Sequence, residues 1–107
     1  MPPARVGLAM RVMAFVSIHP TGEGARLGDE IRKAIDVIED SGLEHEVGPS
    51  GTTILGEWDE LMATIKRCNE ALGAPDTRVN TVIKVDAKPG LEPGDIDAKV
   101  ERVTGNR

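Results

Sequence analysis

Between Gly48 and Leu72 the chain reads G-P-S-G-T-T-I-L-G-E-W-D-E-L-M-A-T-I-K-R-C-N-E-A-L, and much of its chemistry-bearing potential stands in that stretch. Ser50, Thr52 and Thr53 can each donate and accept hydrogen bonds, Gly48 and Gly51 let a ligand come close to the backbone, and Trp58 offers a flat apolar face. Glu57 adds a carboxylate directly before the only tryptophan. These types at this spacing suit a corner that holds a small ligand. They also have purely structural uses: Gly-Pro-Ser-Gly is ordinary turn chemistry, and a tryptophan opening a helix often anchors a core.

His19 ends the first apolar run beside Pro20 and Gly22, where a side chain can reach a pocket, although a lone histidine also serves structurally. Neither His19 nor His45 has Cys, His or Asp at metal-ligand spacing, so no metal site is expected. The glycines of Gly22, Gly24 and Gly28 stand one residue off a dinucleotide-binding fingerprint. Free amides at that helix start would suit a phosphate better than a dinucleotide. Serine-histidine-aspartate order, a nucleophile elbow, a phosphate loop and paired carboxylates are all missing as motifs. Glu57 and His19 could serve as base and acid, but nothing in their spacing demands it. The residues therefore mark no catalytic group and no cofactor, and leave an enzyme and a binding protein both open.

The bulk composition narrows the partners. The chain has 107 residues, a size that predicts one domain over 1–107, with 1–9 as a flexible lead. Formal net charge is -5, with no clustered Lys/Arg stripe, which argues against nucleic acid and anionic membranes and favours a cationic ligand. The single cysteine, Cys68, excludes an intramolecular disulfide and fits a reducing, cytoplasmic setting. Val6 to Ile18 is interrupted by Arg11 and is too short to span a bilayer. With Phe15 and Trp58 as the only aromatics, the core must be aliphatic.

The elements that must position these residues follow from periodicity. Met10 to Ile18 alternates Val12, Ala14, Val16 and Ile18 against Met13, Phe15 and Ser17, a strand apolar on both faces. His19 to Gly24 reads as a loop, and Leu27, Ile31, Ala34, Ile35 and Ile38 trace a helix stopped by Gly42. Leu43 to Val47 and Thr52 to Gly56 form a hairpin about Gly48 to Gly51. Trp58, Leu61, Met62, Ile65, Cys68 and Leu72 mark a second helix, with Asp59 and Glu60 favourably placed in its first turn. Val79, Thr81, Ile83 and Val85 alternate with Asn80, Val82 and Lys84 in a fourth strand, and Asp95 is expected to cap a final helix reaching Val103.

Strand, helix, strand, strand, helix, strand is the order of an α+β, ferredoxin-like sheet of four antiparallel strands with both helices on one face. The other face would then expose Met13, Phe15 and Val82, a patch that predicts an interface with a second copy. The last helix is expected to pack on a neighbouring subunit or on the sheet edge.

Three blocks also carry a family resemblance: Ser17 to Gly22 (S-I-H-P-T-G), Gly48 to Met62, and Arg78 to Asp86 (R-V-N-T-V-I-K-V-D), followed by Asp97 to Val103. From about Met10 to Val103 the chain resembles the small YkoF-like thiamine-binding proteins. That resemblance implies a subunit that dimerises through its sheet, often as a dimer of dimers, and binds thiamine or its hydroxymethylpyrimidine portion without converting it. Thiamine pairs a cationic thiazolium with an aminopyrimidine, so its pocket needs a charge partner, an apolar wall and a polar edge. On this sequence Glu57 would supply the charge and Trp58 or Phe15 the wall. Ser17, Ser50, Thr52, Thr53 and Asn80 would form the polar edge, with His19, Gly22 and Gly51 nearby. The alternative is an interaction-only oligomer, or a small ferredoxin-like enzyme using the same groove.

Overall fold

The computed structural model describes residues 10–21, 27–72 and 77–105. Its elements are β1 (Arg11–Pro20), α1 (Leu27–Ser41), β2 (Glu44–Val47), β3 (Thr52–Glu57), α2 (Trp58–Leu72), β4 (Val79–Asp86) and α3 (Asp95–Thr104). The strands form one antiparallel sheet in the order β2-β3-β1-β4, so the fold is ferredoxin-like with an added C-terminal helix. Gly22 and Gly24 fall outside the described residues, as does the 1–9 lead.

Alternation along β1 sends Val12, Ala14, Val16 and Ile18 under α1 and α2, where Ala34, Ile38, Ile54, Leu61, Ile65, Cys68 and Leu72 complete the main core. Gly42, at φ 78°, ends α1 in the left-handed region that glycine enters without steric cost. In α2 the buried stripe includes Thr64, whose hydroxyl donates to the Glu60 carbonyl at 2.9 Å. Trp58 is partly exposed and no core anchor. Burial pushes the Cys68 thiol up to about 11, and its Sγ donates to the Ala34 carbonyl at 3.4 Å.

β1 is longer than its periodicity suggests. β4 pairs it through His19↔Asn80 and Pro20↔Val79, so these two residues belong to the strand and not to the loop. Proline is accepted because β1 is paired there on one side only, where the missing N–H costs no ladder bond.

The face away from α1 and α2 carries Met13, Phe15, Ser17 and His19 of β1, flanked in register by Thr53 and Leu55 of β3 and by Asn80, Val82, Lys84 and Asp86 of β4. Phe15 and Val82 are exposed there, at 37% and 62%. Met13 is not. It is 7% exposed and clusters with Leu55, Leu91 and Ile96, because α3 folds back over that end of its own sheet. The tail therefore packs on the sheet face within the chain, neither on the edge nor only on a neighbour. Three polar ties hold it: the Arg11 guanidinium donates to the Leu91 carbonyl at 2.8 Å, Gly94 N–H donates to the Glu44 carboxylate at 2.8 Å, and Lys99 reaches Asp86 at 3.4 Å. Asp95 does not cap α3. Gly94 holds that position, and the Asp95 carboxylate instead accepts the Glu92 N–H at 2.8 Å, closing the turn that enters the helix.

Candidate ligand-binding site

β3 stops pairing with β1 at Val16↔Thr52, whereas β4 follows β1 to Pro20. Ser17 to Pro20 are thus left without a strand on their β3 side. The hairpin turn Gly48–Gly51, closed by a 2.8 Å bond from Gly48 N–H to the Gly51 carbonyl, bends around this gap. α1 lies above it. The three elements enclose a concavity of about 250 Å³: Ile31, Ala34, Ile35 and Ile38 of α1 form an apolar wall over Val16, Ile18 and Thr52, Ser50 stands in the turn, and Ser17 and His19, which alternate to the open face, line it along the unpaired β1 edge.

Gly51 is what brings the turn so close. A Cβ there would meet the Phe15 ring and stand 2.7 Å from the Val16 carbonyl oxygen. The turn consequently lies flat against β1, and Phe15 leans over it from the other face. Among the described lining residues His19 is the sole ionisable side chain and none is a carboxylate. Hydroxyls and a ring nitrogen along the open edge of an aliphatic wall suit a heterocycle with donors and acceptors along one side.

Of the residues singled out from sequence, Ser17, His19, Ser50, Gly51 and Thr52 come together in this cavity. Thr53 points to the open face, opposite to Thr52 and on the same side as Ser17 and His19, but stands further along the sheet, where it lines a second groove of about 470 Å³ between α3 and the sheet, with Phe15, Lys84 and Ile96. Asn80 pairs with His19 across β1 and β4 and is exposed. Gly22 is outside the described residues.

Glu57 and Trp58 are not brought to the cavity. Glu57 pairs with Arg11, and Trp58 N–H donates to the Met10 carbonyl at 2.7 Å, both at the opposite end of β1. At about 3.4 Å per residue, Arg11 and His19 stand roughly 25 Å apart along the strand. The Glu57 carboxylate instead accepts the backbone N–H groups of Asp59 and Glu60, at 3.1 and 3.2 Å, and so caps α2. The α1 wall is the part of the site that residue chemistry missed: its stripe reads as core, and only its position over the β1–β3 gap makes it a lining. Among the described residues, no cluster of three or more His, Cys, Asp or Glu side chains could hold a metal ion, and no helix is long and apolar enough to cross a membrane.

Comparison with known proteins places this geometry in a family. Residues 14–104 match the model of the family described as thiamine-binding protein. UPF0045 protein Mb1933 of Mycobacterium bovis is 39% identical over 95 residues, covering 88% of this chain and 89% of that protein. UPF0045 protein sll0230 of Synechocystis is 34% identical over 98 residues, covering 89% and 78%. Among solved structures, TM0486 from Thermotoga maritima, provisionally assigned to thiamine biosynthesis or salvage, superposes with a TM-score of 0.72 at 31% identity, covering 84% of this chain and 98% of that one. A domain of unknown function from Bacillus cereus superposes at 0.73 with 33% identity, covering 89% and 91%. The match spans both sides of the β1–β3 gap, and the chain is a member of the thiamine-binding protein family.

Proposed function

We propose that the protein binds thiamine, or the hydroxymethylpyrimidine portion of it, in the cavity between α1, the end of β1 and the hairpin turn, and releases it unchanged. The observation that carries this reading is the lining: four aliphatic side chains of α1 above Thr52, with Ser17, His19 and Ser50 along the open edge, in a family described by thiamine binding. The aminopyrimidine would lie against the aliphatic wall with its polar edge toward the hydroxyls and His19. The thiazolium would stay at the mouth, since no carboxylate among the described lining residues compensates its charge. On this reading the uncharged pyrimidine alcohol binds at least as well as thiamine itself.

Self-association is part of the same proposal. α3 covers only the Met13 end of the open face, and a second copy would cover the remainder around Phe15 and Val82.

Titration calorimetry on protein stripped of ligand tests the binding. Both compounds should give saturable heat, no product should form on prolonged incubation, and Ser17→Ala or His19→Ala should weaken binding about tenfold, the loss of roughly one well-formed hydrogen bond. Absence of heat at millimolar ligand in folded protein would end the proposal, and turnover of either compound would replace it with an enzymatic one. Light scattering at micromolar protein tests the self-association, which a monomer mass would refute.

A further inference from the structure

α3 crosses the open face of the sheet along one row of residues and matches the chemistry of each. Register aligns Glu44, Leu55, Met13 and Asp86 across β2, β3, β1 and β4. Gly94 N–H donates to the Glu44 carboxylate at 2.8 Å, Ile96 packs with Leu55 and Met13, and the Lys99 ammonium reaches Asp86 at 3.4 Å. A donor stands on the first acid, an apolar side chain on the apolar middle, and a cation on the second acid.

Two residues along every strand runs a neighbouring row: Glu46, Thr53, Phe15 and Lys84. It lies on the same face, because alternation returns each strand to that side at every second residue. This row is the floor of the 470 Å³ groove, and Ile96 and Val100 of α3 form its wall. Its two ends are unanswered: among the described residues, neither Glu46 nor Lys84 has an ion-pair partner. Asp86 and Lys99 also line the groove, but they pair with each other, so one carboxylate and one ammonium remain to be matched. The row also sets the size of what could match them. β2 and β4 are three strand spacings apart, about 14 Å at about 4.8 Å each. One charge-assisted hydrogen bond of about 2.8 Å at each end leaves about 8 to 9 Å between the two charges of a bridging molecule. A benzene-sized ring with a charged substituent at each end has that reach.

We infer that this groove is a second small-molecule site, for a flat aromatic zwitterion that sets an ammonium on Glu46, its ring on Phe15 against Val100, and a carboxylate on Lys84. The site is separate from the cavity under α1: the two linings share no residue, and the inference does not rest on the thiamine reading. A second copy laid over Phe15 would roof the groove, while both charged ends come from one chain.

The probe is 4-(aminomethyl)benzoate, titrated by calorimetry at low salt into variants with wild-type melting curves. It should bind saturably in the millimolar range or tighter. Benzylamine and 4-methylbenzoate each keep the ring and one charge, and each should bind about fivefold more weakly, the effect of one exposed ion pair. Glu46→Gln and Lys84→Gln should each weaken the zwitterion by a similar factor, and added salt should weaken it further. Exchanging the ends in Glu46→Lys/Lys84→Glu lets the probe turn end for end, so its affinity should return to within about threefold of wild type. Saturating hydroxymethylpyrimidine should not displace it. Absence of heat at millimolar probe, half-molecules that bind as well as the whole, single substitutions without effect, or a double exchange that fails to recover would overturn the inference. Displacement by the pyrimidine would also overturn it, by placing the probe in the other cavity.

Discussion

Replacing Gly51 by alanine tests the packing that shapes the cavity between α1, β1 and the hairpin turn. The added methyl would enter the space of the Phe15 ring and lie 2.7 Å from the Val16 carbonyl oxygen. The ring terminates a side chain and can swing aside. The carbonyl belongs to a strand paired on both sides at Val16, with Thr52 and Ile83, and cannot. The turn must therefore lift away from β1. Overpacking of this kind costs about 1 to 3 kcal/mol. For a domain near this length each kcal/mol lowers the melting temperature by about 4 to 8 °C, so a fall of roughly 5 to 20 °C is expected. Lifting the turn also moves Ser50 and Thr52 relative to Ser17 and His19, so pyrimidine affinity should drop together with stability. Gly48→Ala is the matched control. Its methyl meets only the Gly51 carbonyl, at 3.2 Å, a contact a turn can relieve by a few tenths of an ångström. Adding Phe15→Ala to Gly51→Ala separates the two obstacles: stability measured against Phe15→Ala alone should still fall, because the carbonyl remains. Thermal melts followed by circular dichroism read the stability, and calorimetry reads the affinity. A Gly51→Ala protein that melts within about a degree of wild type would refute the reasoning.

Glu57→Ala should destabilise the protein by about 1 kcal/mol, the usual value of a lost helix cap, measured by urea unfolding, while leaving pyrimidine affinity unchanged because Glu57 lies far from the cavity. Ile96→Ala should cost about 2 to 4 kcal/mol and loosen α3 from the sheet, visible as faster amide exchange at Met13 and Leu55, its partners in the small second core. The Cys68 thiol should resist alkylation at neutral pH, because burial raises it from 9.0 to about 11. The sign of the linkage follows: the folded state binds this proton more tightly than the unfolded chain, so the stability it contributes is complete below pH 9 and is lost toward pH 11. Cys68→Ala should show a flatter pH profile over that window.

Periodicity in the sequence by itself determined the ferredoxin-like order. The two-residue alternation of β1 and β4 and the three-to-four-residue stripes of α1 and α2 are local properties, and burial of one face follows from them whatever the neighbours. Turn chemistry at Gly42 and Gly48–Gly51 was legible for the same reason. The hydroxyl and glycine cluster was recognisable as half of a site because the hairpin holds Ser50, Gly51 and Thr52 close together along the chain. Only the tertiary structure decided the rest. Glu57 and Trp58 follow Thr53 by four and five residues, yet an extended strand carries them away from the cavity at about 3.4 Å per residue, so neighbours in sequence end at opposite ends of the sheet. The α1 wall joined the site through helix-on-sheet packing, which no local pattern records. The fate of Met13 was likewise decided by the fold. Its strand pattern states that it faces away from α1 and α2, but whether that face meets water or a helix depends on α3 returning from beyond Gly90 to lie across β1, a contact between segments about eighty residues apart, anchored by the 2.8 Å bond from Arg11 to Leu91.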